Sequence, residues 1–294
     1  AGNDGAERLV CRAREVAGLD LNQHDVSIFA EIVDAPQLSL NGIVERARQY
    51  RRDGADVIDL GCLPEVPFPH LANAVRTLKD DGFLVSVDSM NTDDLLAGGR
   101  AGADYLLSLT ERTLWVADEV DATPVLIPET PGDLDSLQRA WEQLHAAGRE
   151  ALADPILDPI HFGFTDSIVR YHEIRRRLPG ARLMMGVGNL TELTEADTCG
   201  INAILFGLIS ELRASAVLTT QVSPHCRSAV REAELARRIM YRAREEASLP
   251  KQLHGGLTGL HERQPFPYTT SEIADAAALV RDPNFRIQVA EDGI

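Results

Sequence analysis

The sequence lacks several features that mark common classes of protein. Its four cysteines lie far apart and form no CxxC pair: Cys11, Cys62, Cys199 and Cys226. This spacing argues against a disulfide framework and a structural zinc site, so we expect reduced thiols and a cytoplasmic protein. No apolar run approaches the ~20 residues that a membrane-spanning helix needs. No basic segment followed by an apolar one opens the chain, as a secretion signal would.

Positive charge is also scarce. Lys and Arg together number 29 against 45 Asp and Glu, which gives a net charge of -16 at pH 7. A field of this sign repels phosphate groups, so we expect neither nucleic acid nor a membrane as a partner. An anionic substrate would need a local cationic pocket or a metal ion.

Three catalytic signatures are missing as well. The chain contains no HExxH, no GxGxxG that opens a helix, and no serine in a nucleophile elbow. The sequence therefore gives no support for a zinc protease, a dinucleotide-binding enzyme or a triad hydrolase.

What the sequence does contain is an alternation of short apolar runs with segments of helical periodicity. Eight of these runs predict buried strands: 26–32, 55–61, 83–89, 104–109, 123–128, 155–158, 182–188 and 215–221. The segments 40–54 and 134–148 between them end on glycine, as helices often do. Eight such units predict an α/β fold of the TIM (β/α)8 barrel type.

The barrel is predicted to occupy residues 26–248 as one domain. Residues 249–294 are expected to form a C-terminal extension packed on its outside, with a helix at 271–280. Residues 1–25 are a lead-in. Their opening AGNDGAERL does not begin with Met, so we interpret the lead-in as the remnant of a removed N-terminal domain.

Polar residues follow the predicted strands, where barrel enzymes carry their chemistry. This predicted rim contains Glu31, Asp34, Asp59, Asp88, Ser108, Asp158, Asn189 and Gln221. Carboxylates dominate the set, and such a pocket suits a ligand that offers several N–H donors.

The stretch PILDPIHFGF, residues 155–164, has a carboxylate at the end of an apolar run. Asp158 there fits a ligand contact at a strand end, but a helix N-cap or a loop acceptor would use the same residue. His161, three residues further on, is either a candidate hydrogen-bond donor to a phosphate group or a solvated loop residue. His225 and Arg227 follow the eighth strand, where barrels often bind phosphate.

Five motifs in this order resemble the pterin-binding family. They are GADVIDLG, VSVDS, GADYLL, ILDPIHFGF and MGVGN, and the similarity extends over about residues 26–248. The family includes dihydropteroate synthases and methyltetrahydrofolate corrinoid methyltransferases. The resemblance implies that Asp158 accepts hydrogen bonds from the amino group and ring N–H of the pterin, with Asp88 at its far edge. It also implies a pterin site that includes Asp59, Ser108 and Asn189.

Departures from the family pattern occur at three strand ends. Leu107 and Ser108 stand where the fourth strand usually ends in Asn. Gly188, Asn189 and Leu190 replace the Ser-Arg-Lys run of the synthases, and Asn here is similar to the methyltransferases. The Arg and His that bind phosphate after the eighth strand have their counterparts only later, in His225 and Arg227.

The pattern looks most like a synthase-like branch associated with tetrahydromethanopterin, which typically has an extra N-terminal domain. The implied reaction joins a hydroxymethyl-dihydropterin diphosphate to an arylamine. Mg²⁺ would neutralise the leaving diphosphate, and no side chain is assigned as its ligand. The sequence leaves open whether the protein forms a homodimer. Two alternatives also remain: a pterin-dependent methyltransferase with a corrinoid partner, and a noncatalytic pterin-binding protein.

Overall fold

The computed structural model describes residues 21–64, 66–258, 268–281 and 287–290. Eight parallel strands close into a barrel in the order β1 to β8, each paired with its neighbours in sequence, and β8 pairs with β1. The strands are β1 Ser27–Ile32, β2 Val57–Gly61, β3 Leu84–Asp88, β4 Tyr105–Leu109, β5 Thr123–Leu126, β6 Leu152–Ala153, β7 Arg182–Gly186 and β8 Ala216–Thr219. The predicted TIM barrel is confirmed.

Helices connect the strands around the outside of the barrel. They are α1 Leu40–Asp53, α2 Leu71–Asp80, α3 Thr92–Arg100, α4 Trp115–Glu119, α5 Leu134–Ala146, α6 Phe164–Arg177, α7 Gly188–Thr191, α8 Thr198–Glu211, α9 Ala229–Glu245 and α10 Thr270–Leu279. Short 3₁₀ turns lie at Ala35–Gln37, Glu111–Thr113 and Pro224–Cys226. Helix α1 shows why these segments begin and end where they do. The Ser39 side chain accepts from the N–H of Gly42 at its start, and Gly54 ends it with a φ of 109°, a conformation that favours glycine.

The core has two layers. Alternate strand residues point into the barrel and fill its interior: Phe29, Val57, Leu107, Val125, Leu152, Met184 and Ala216. The intervening residues pack against the helices in a larger outer layer, which includes Ile28, Ile58, Val85 and Leu183. The filled interior means that ligands can bind only at an end of the barrel.

An ion-pair network joins the last barrel helix to the amino ends of the first two strands. Arg237 on α9 is 3% exposed. Its guanidinium donates to the Asp56 carboxylate and, at 2.6 Å, to the Val26 carbonyl. Asp56 in turn accepts from the Ile28 N–H at 2.8 Å. The network fixes where β1 and β2 begin.

The prediction of a sixth strand at 155–158 is wrong, because β6 is only Leu152–Ala153. The Asp154 N–H makes one further inter-strand bond to Leu126 O. Pro155 has no N–H to donate, and Ile156 adopts a φ of 67°. The chain therefore turns away from the sheet directly after Asp154, and the apolar run packs as a loop.

Part of the predicted C-terminal extension lies outside the described residues, at 259–267, 282–286 and 291–294. Helix α10 corresponds to the helix predicted at 271–280, and none of its residues is buried. Within the described ranges, no helix combines the length and the apolarity that crossing a membrane requires. Residues 1–20, most of the predicted lead-in, lie outside the described part of the chain.

Candidate functional site

A cavity of about 570 Å³ opens at the carboxyl ends of the strands. One side of its wall is acidic, with Glu31 of β1 and Asp88 of β3. A third carboxylate, Asp154, lies across the mouth after β6, and apolar side chains of β4, β5, β7 and β8 separate it from the first two: Leu107, Val125, Met184 and Leu218. An apolar cavity with carboxylates on opposite sides suits a flat ring with hydrogen-bond donors at its edge.

Three carboxylates on adjacent strands form the centre of the acidic wall. Glu31 is opposite Asp59 in the β1–β2 register, and Asp88 on β3 is opposite Gly61 on β2. One oxygen from each carboxylate lies within 4.8 Å of the others. Asp59 is fully buried below the cavity, whereas Glu31 and Asp88 line it.

Two serines each hold one oxygen of these acids. Ser86 Oγ donates to Asp59 Oδ1 at 2.5 Å, and Ser108 Oγ donates to Asp88 Oδ1 at 2.6 Å. Ser108 has a φ of 72° and lies in an irregular stretch of the β4–β5 pairing, between Leu106 and Leu109. Such irregularities redirect a side chain. Asp59 Oδ2 is buried and has no hydrogen-bond partner among the described residues.

Gly61 makes room for the Glu31 side chain. A Cβ at this position would lie 2.6 Å from Glu31 Oε1 and 3.3 Å from Val33 Cα. Any larger residue would displace the Glu31 carboxylate from its place beside Asp59 and Asp88. The GADVIDLG motif therefore ends in glycine for a steric reason.

Burial raises the pKa of all three acids, and repulsion adds to the effect at Glu31 and Asp59. Desolvation, with a smaller contribution from Asp88, raises the pKa of Glu31 to about 7. Desolvation followed by the charges of Asp88 and Glu31 raises the pKa of Asp59 well above its usual value, although the Ser86 hydrogen bond opposes this. The pKa of Asp88 is raised by desolvation and lowered by Ser108. The cluster therefore requires protons or a cation to compensate its charge.

The structure brings Asp154, not Asp158, to the cavity. Asp154 Oδ1 accepts from Tyr171 Oη at 2.6 Å and from the Ile156 N–H at 2.8 Å. Desolvation raises the pKa of Asp154 to about 6. Asp158 accepts instead from Arg170 Nη2 of α6 at 2.5 Å, as a loop acceptor would. The expectation of a strand-end Asp158 fails because the strand ends five residues earlier, at Ala153.

Asn189 is the amide that lines the cavity, in the short helix α7. Its Nδ2 donates to the Leu157 carbonyl at 2.7 Å. This bond connects the loop after β6 to the loop after β7, so the apolar run of PILD supplies a backbone acceptor that orients Asn189.

The three basic residues expected to bind phosphate do not line the cavity. His161 is exposed in the loop after β6, with a φ of 70°. His225 is buried, and its Nε2 contacts the Thr191 carbonyl at 3.0 Å. Arg227 lines a neighbouring depression with Tyr50, and its Nη1 donates to Pro224 O. Among the described residues, no Lys, Arg or His side chain lines the cavity.

Three further residues that line the cavity are not indicated by the sequence pattern: Asp154, Thr219 and Glu192. Asp154 has the same Asp-Pro signal as Asp158, but the two-residue strand before it carries no periodicity. Thr219 lines the cavity and is 1% exposed, yet its Oγ1 has no partner among the described residues. Glu192 accepts from the N–H groups of Val222 and Ser223 at 2.7 and 2.9 Å and so shapes the loop after β8.

The donor set of the acidic wall fits Mg²⁺. Glu31, Asp59 and Asp88 offer only carboxylate oxygens, the ligands that this ion prefers. The unpartnered buried oxygen of Asp59 is a further observation that agrees with a bound cation.

No family model matches the chain. A curated relative, an uncharacterized protein of Methanocaldococcus jannaschii, is 33% identical over 261 residues. The alignment covers 81% of this chain and 49% of the relative, so the chain spans about half the length of that protein.

Solved structures of dihydropteroate synthases share the fold. The Yersinia pestis enzyme with a sulfonamide drug has a TM-score of 0.58 at 16% identity, covering 80% of this chain and 99% of that one. The Xanthomonas albilineans enzyme with 7,8-dihydropteroate has a TM-score of 0.53 at 18% identity, covering 74% and 92%. The Coxiella burnetii enzyme with pteroic acid has 0.55 at 16%, covering 72% and 92%. The chain has the barrel fold of the dihydropteroate synthases.

Proposed function

We propose that this barrel binds a reduced pterin at its carboxyl-terminal mouth and acts as a dihydropteroate synthase-like transferase. The observation that carries the proposal is the cavity itself, in which the carboxylate of Asp154 lies across an apolar space from those of Glu31 and Asp88. Similar folds from Xanthomonas albilineans and Coxiella burnetii bind 7,8-dihydropteroate and pteroic acid. A pterin is a flat ring with amino and ring N–H donors at its edge, which matches an apolar space bounded by carboxylates.

Each group in the cavity has a role in holding the ring. Asp154, rather than Asp158, accepts from the donor edge of the pterin, and Asp88 accepts at the far edge, where Ser108 orients it. Charge-assisted hydrogen bonds of this kind are stronger than neutral ones. Asn189, anchored to Leu157, holds the ring in the place of the missing lysine. Leu107, Val125 and Met184 exclude water from its face.

The proposed reaction joins a hydroxymethyl-dihydropterin diphosphate to an arylamine. The amine nitrogen forms a bond to the exocyclic methylene carbon, the C–O bond electrons leave with diphosphate, and the amine loses a proton. Mg²⁺, when bound, supplies positive charge to the leaving diphosphate. The side chains position the two reactants and need form no covalent intermediate. The resemblance in sequence assigns the arylamine to tetrahydromethanopterin synthesis, as a ribofuranosyl-aminobenzene phosphate.

A second candidate is pterin-dependent methyl transfer to a corrinoid partner. One observation favours it: no basic side chain lines the described part of the cavity, and a methyl donor carries no diphosphate to neutralise. Asn189 would then respond to the charge that develops on the pterin nitrogen.

Product analysis tests the proposal and separates it from the second candidate. The protein is incubated with hydroxymethyl-dihydropterin diphosphate, Mg²⁺ and either 4-aminobenzoate or the ribofuranosyl-aminobenzene phosphate, and products are identified by mass spectrometry. We expect the pterin–arylamine adduct. Methyl transfer from a methylated tetrahydropterin to cob(I)alamin, without adduct, would favour the second candidate. Pterin binding without either product would indicate a noncatalytic binding protein.

A further inference from the structure

We propose that Glu31, Asp59 and Asp88 together bind one divalent cation of the Mg²⁺ and Mn²⁺ class directly, in the absence of any pterin. The proposal goes beyond the proposed function, since it assigns protein ligands to the ion and predicts binding by the free protein. It is supported by the geometry of the three acids, by a fully buried oxygen of Asp59 without a partner and by the charge of the cavity.

The three carboxylates are held at ligand spacing by the barrel itself. Three adjacent parallel strands carry Glu31, Asp59 and Asp88 near their carboxyl ends, and one oxygen of each lies within 4.8 Å of the others. Ions of about the Mg²⁺ radius bind carboxylate oxygens at roughly 2.1 Å, so two oxygens bound to one ion lie roughly 3 to 4 Å apart. Small side-chain rotations therefore suffice to close the site.

Hydrogen bonds orient two of the acids and still leave oxygens for an ion. Ser86 holds Asp59 through Oδ1, and Ser108 holds Asp88 through Oδ1. Gly61 leaves the space that the Glu31 carboxylate occupies. Two of the acids are thus oriented by a hydrogen-bonding neighbour, as first ligands of a metal ion usually are, and the third has the space it needs.

A buried oxygen without a partner points to a missing ligand. Asp59 is fully buried, and its Oδ2 has no hydrogen-bond partner among the described residues. Leaving a buried acceptor unsatisfied costs about 1 to 3 kcal/mol, and more when it is charged. A cation bound to Oδ2 satisfies this oxygen.

The charge of the cavity selects a cation of this class. Glu31, Asp88, Asp154 and Glu192 line it, and within the described ranges no basic side chain does. A donor set made only of carboxylate oxygens favours Mg²⁺ or Mn²⁺ over zinc, which prefers nitrogen and sulfur. A cation here would also provide the positive charge that an anionic substrate needs in a cavity of this sign.

Manganese binding to the chelator-treated free protein tests the proposal. Electron paramagnetic resonance at micromolar concentrations counts the bound Mn²⁺, and Mg²⁺ is added as a competitor. We expect one Mn²⁺ per chain, displaced by Mg²⁺. Glu31→Gln and Asp59→Asn should each weaken this binding by at least about tenfold. Asp158→Asn is the matched control, because it removes a carboxylate of the loop after β6 that pairs with Arg170 and does not line the cavity, and it should bind as the parent does.

Two results would overturn the proposal. One is the absence of stoichiometric Mn²⁺ binding by the folded parent, and the other is unchanged binding in both Glu31→Gln and Asp59→Asn. Circular dichroism of each variant identifies any that fails to fold, and the remaining variant then carries the test. Because no pterin is present, failure of this site and failure of the proposed function are separate outcomes.

Discussion

The hydroxyl of Tyr171 on α6 donates a 2.6 Å hydrogen bond to Oδ1 of Asp154. Through this bond a helix on the outside of the barrel holds the carboxylate at the end of β6 towards the cavity. Asp158 lies four residues further along the chain and pairs with Arg170 of the same helix. Two neighbouring residues of α6 thus bind the two acids: Tyr171 orients Asp154 at the cavity, and Arg170 pairs with Asp158 in the loop.

Asp154 should make folding stability fall as the pH rises. Burial raises its pKa to about 6 from a usual 3.8, so the folded state holds the proton more tightly than the unfolded state. The stabilisation is complete below about pH 4 and is lost as the pH rises through about 6. Relative to Asp154→Asn, the free energy of unfolding of the parent should drop by about 2 to 3 kcal/mol over this range. Urea titrations of both proteins at about pH 4 and pH 7.5 measure it. A constant difference between the two would contradict the pKa shift.

Removing the Arg237 guanidinium should destabilise the barrel strongly. Arg237→Met leaves the Asp56 carboxylate and the Val26 carbonyl without their buried donor, and breaking such a pair costs about 3 kcal/mol or more. The matched control is Arg48→Met, since Arg48 pairs with Asp81 with 57% of its side chain exposed. Exposed pairs contribute about 0 to 1 kcal/mol. Denaturant unfolding compares them, and equal losses would show that the network does not anchor β1 and β2.

Replacing Gly61 with alanine should weaken metal binding, because the added methyl group would contact a carboxylate of the acidic wall. Gly61→Ala puts a Cβ within 2.6 Å of Glu31 Oε1, so it should weaken Mn²⁺ binding by displacing that carboxylate. Gly186→Ala is the control, because it lies on the same cavity with nothing within 4 Å of an added Cβ. Manganese titration of the two variants should separate them. If both bind as the parent does, Glu31 is not a ligand.

Much of the fold follows from the sequence, because buried parallel strands are apolar runs whatever their partners. Seven strands lie within two residues of their predicted ends. The sixth does not, since Leu152 and Ala153 are too few to show a pattern, and the apolar residues after them pack as a loop. That error moved the predicted ligand contact from Asp154 to Asp158.

The candidate site shows a different limit. The positions of Glu31, Asp59 and Asp88 near strand ends predict that all three lie at the rim. Their separation depends on the register between β1, β2 and β3, which the sequence does not fix. The hydrogen bond from Ser108 depends on an irregular backbone at β4 that no motif indicates.

Asn189 distinguishes condensation from methyl transfer. If it only holds the ring, Asn189→Ala should weaken the affinity for hydroxymethyl-dihydropterin diphosphate by about 1 to 2 kcal/mol, the contribution of one hydrogen bond. Turnover should fall with binding, and the parent should transfer no methyl group to cob(I)alamin. Calorimetry and a cob(I)alamin absorbance assay measure both. Methyl transfer that disappears in Asn189→Ala at unchanged affinity would instead support the methyltransferase.

The proposed pterin site is tested by calorimetry. The parent, Asp154→Asn and Asp158→Asn are each titrated with hydroxymethyl-dihydropterin in the presence of Mg²⁺. The uncharged ligand makes the result independent of any diphosphate site. We expect the parent to bind one pterin per chain and Asp154→Asn to lose about tenfold to a hundredfold in affinity, since a hydrogen bond to a charged group contributes about 1.5 to 3 kcal/mol. Asp158→Asn should bind almost as the parent does. No binding by the parent, or a loss confined to Asp158→Asn, would contradict the proposed pterin site.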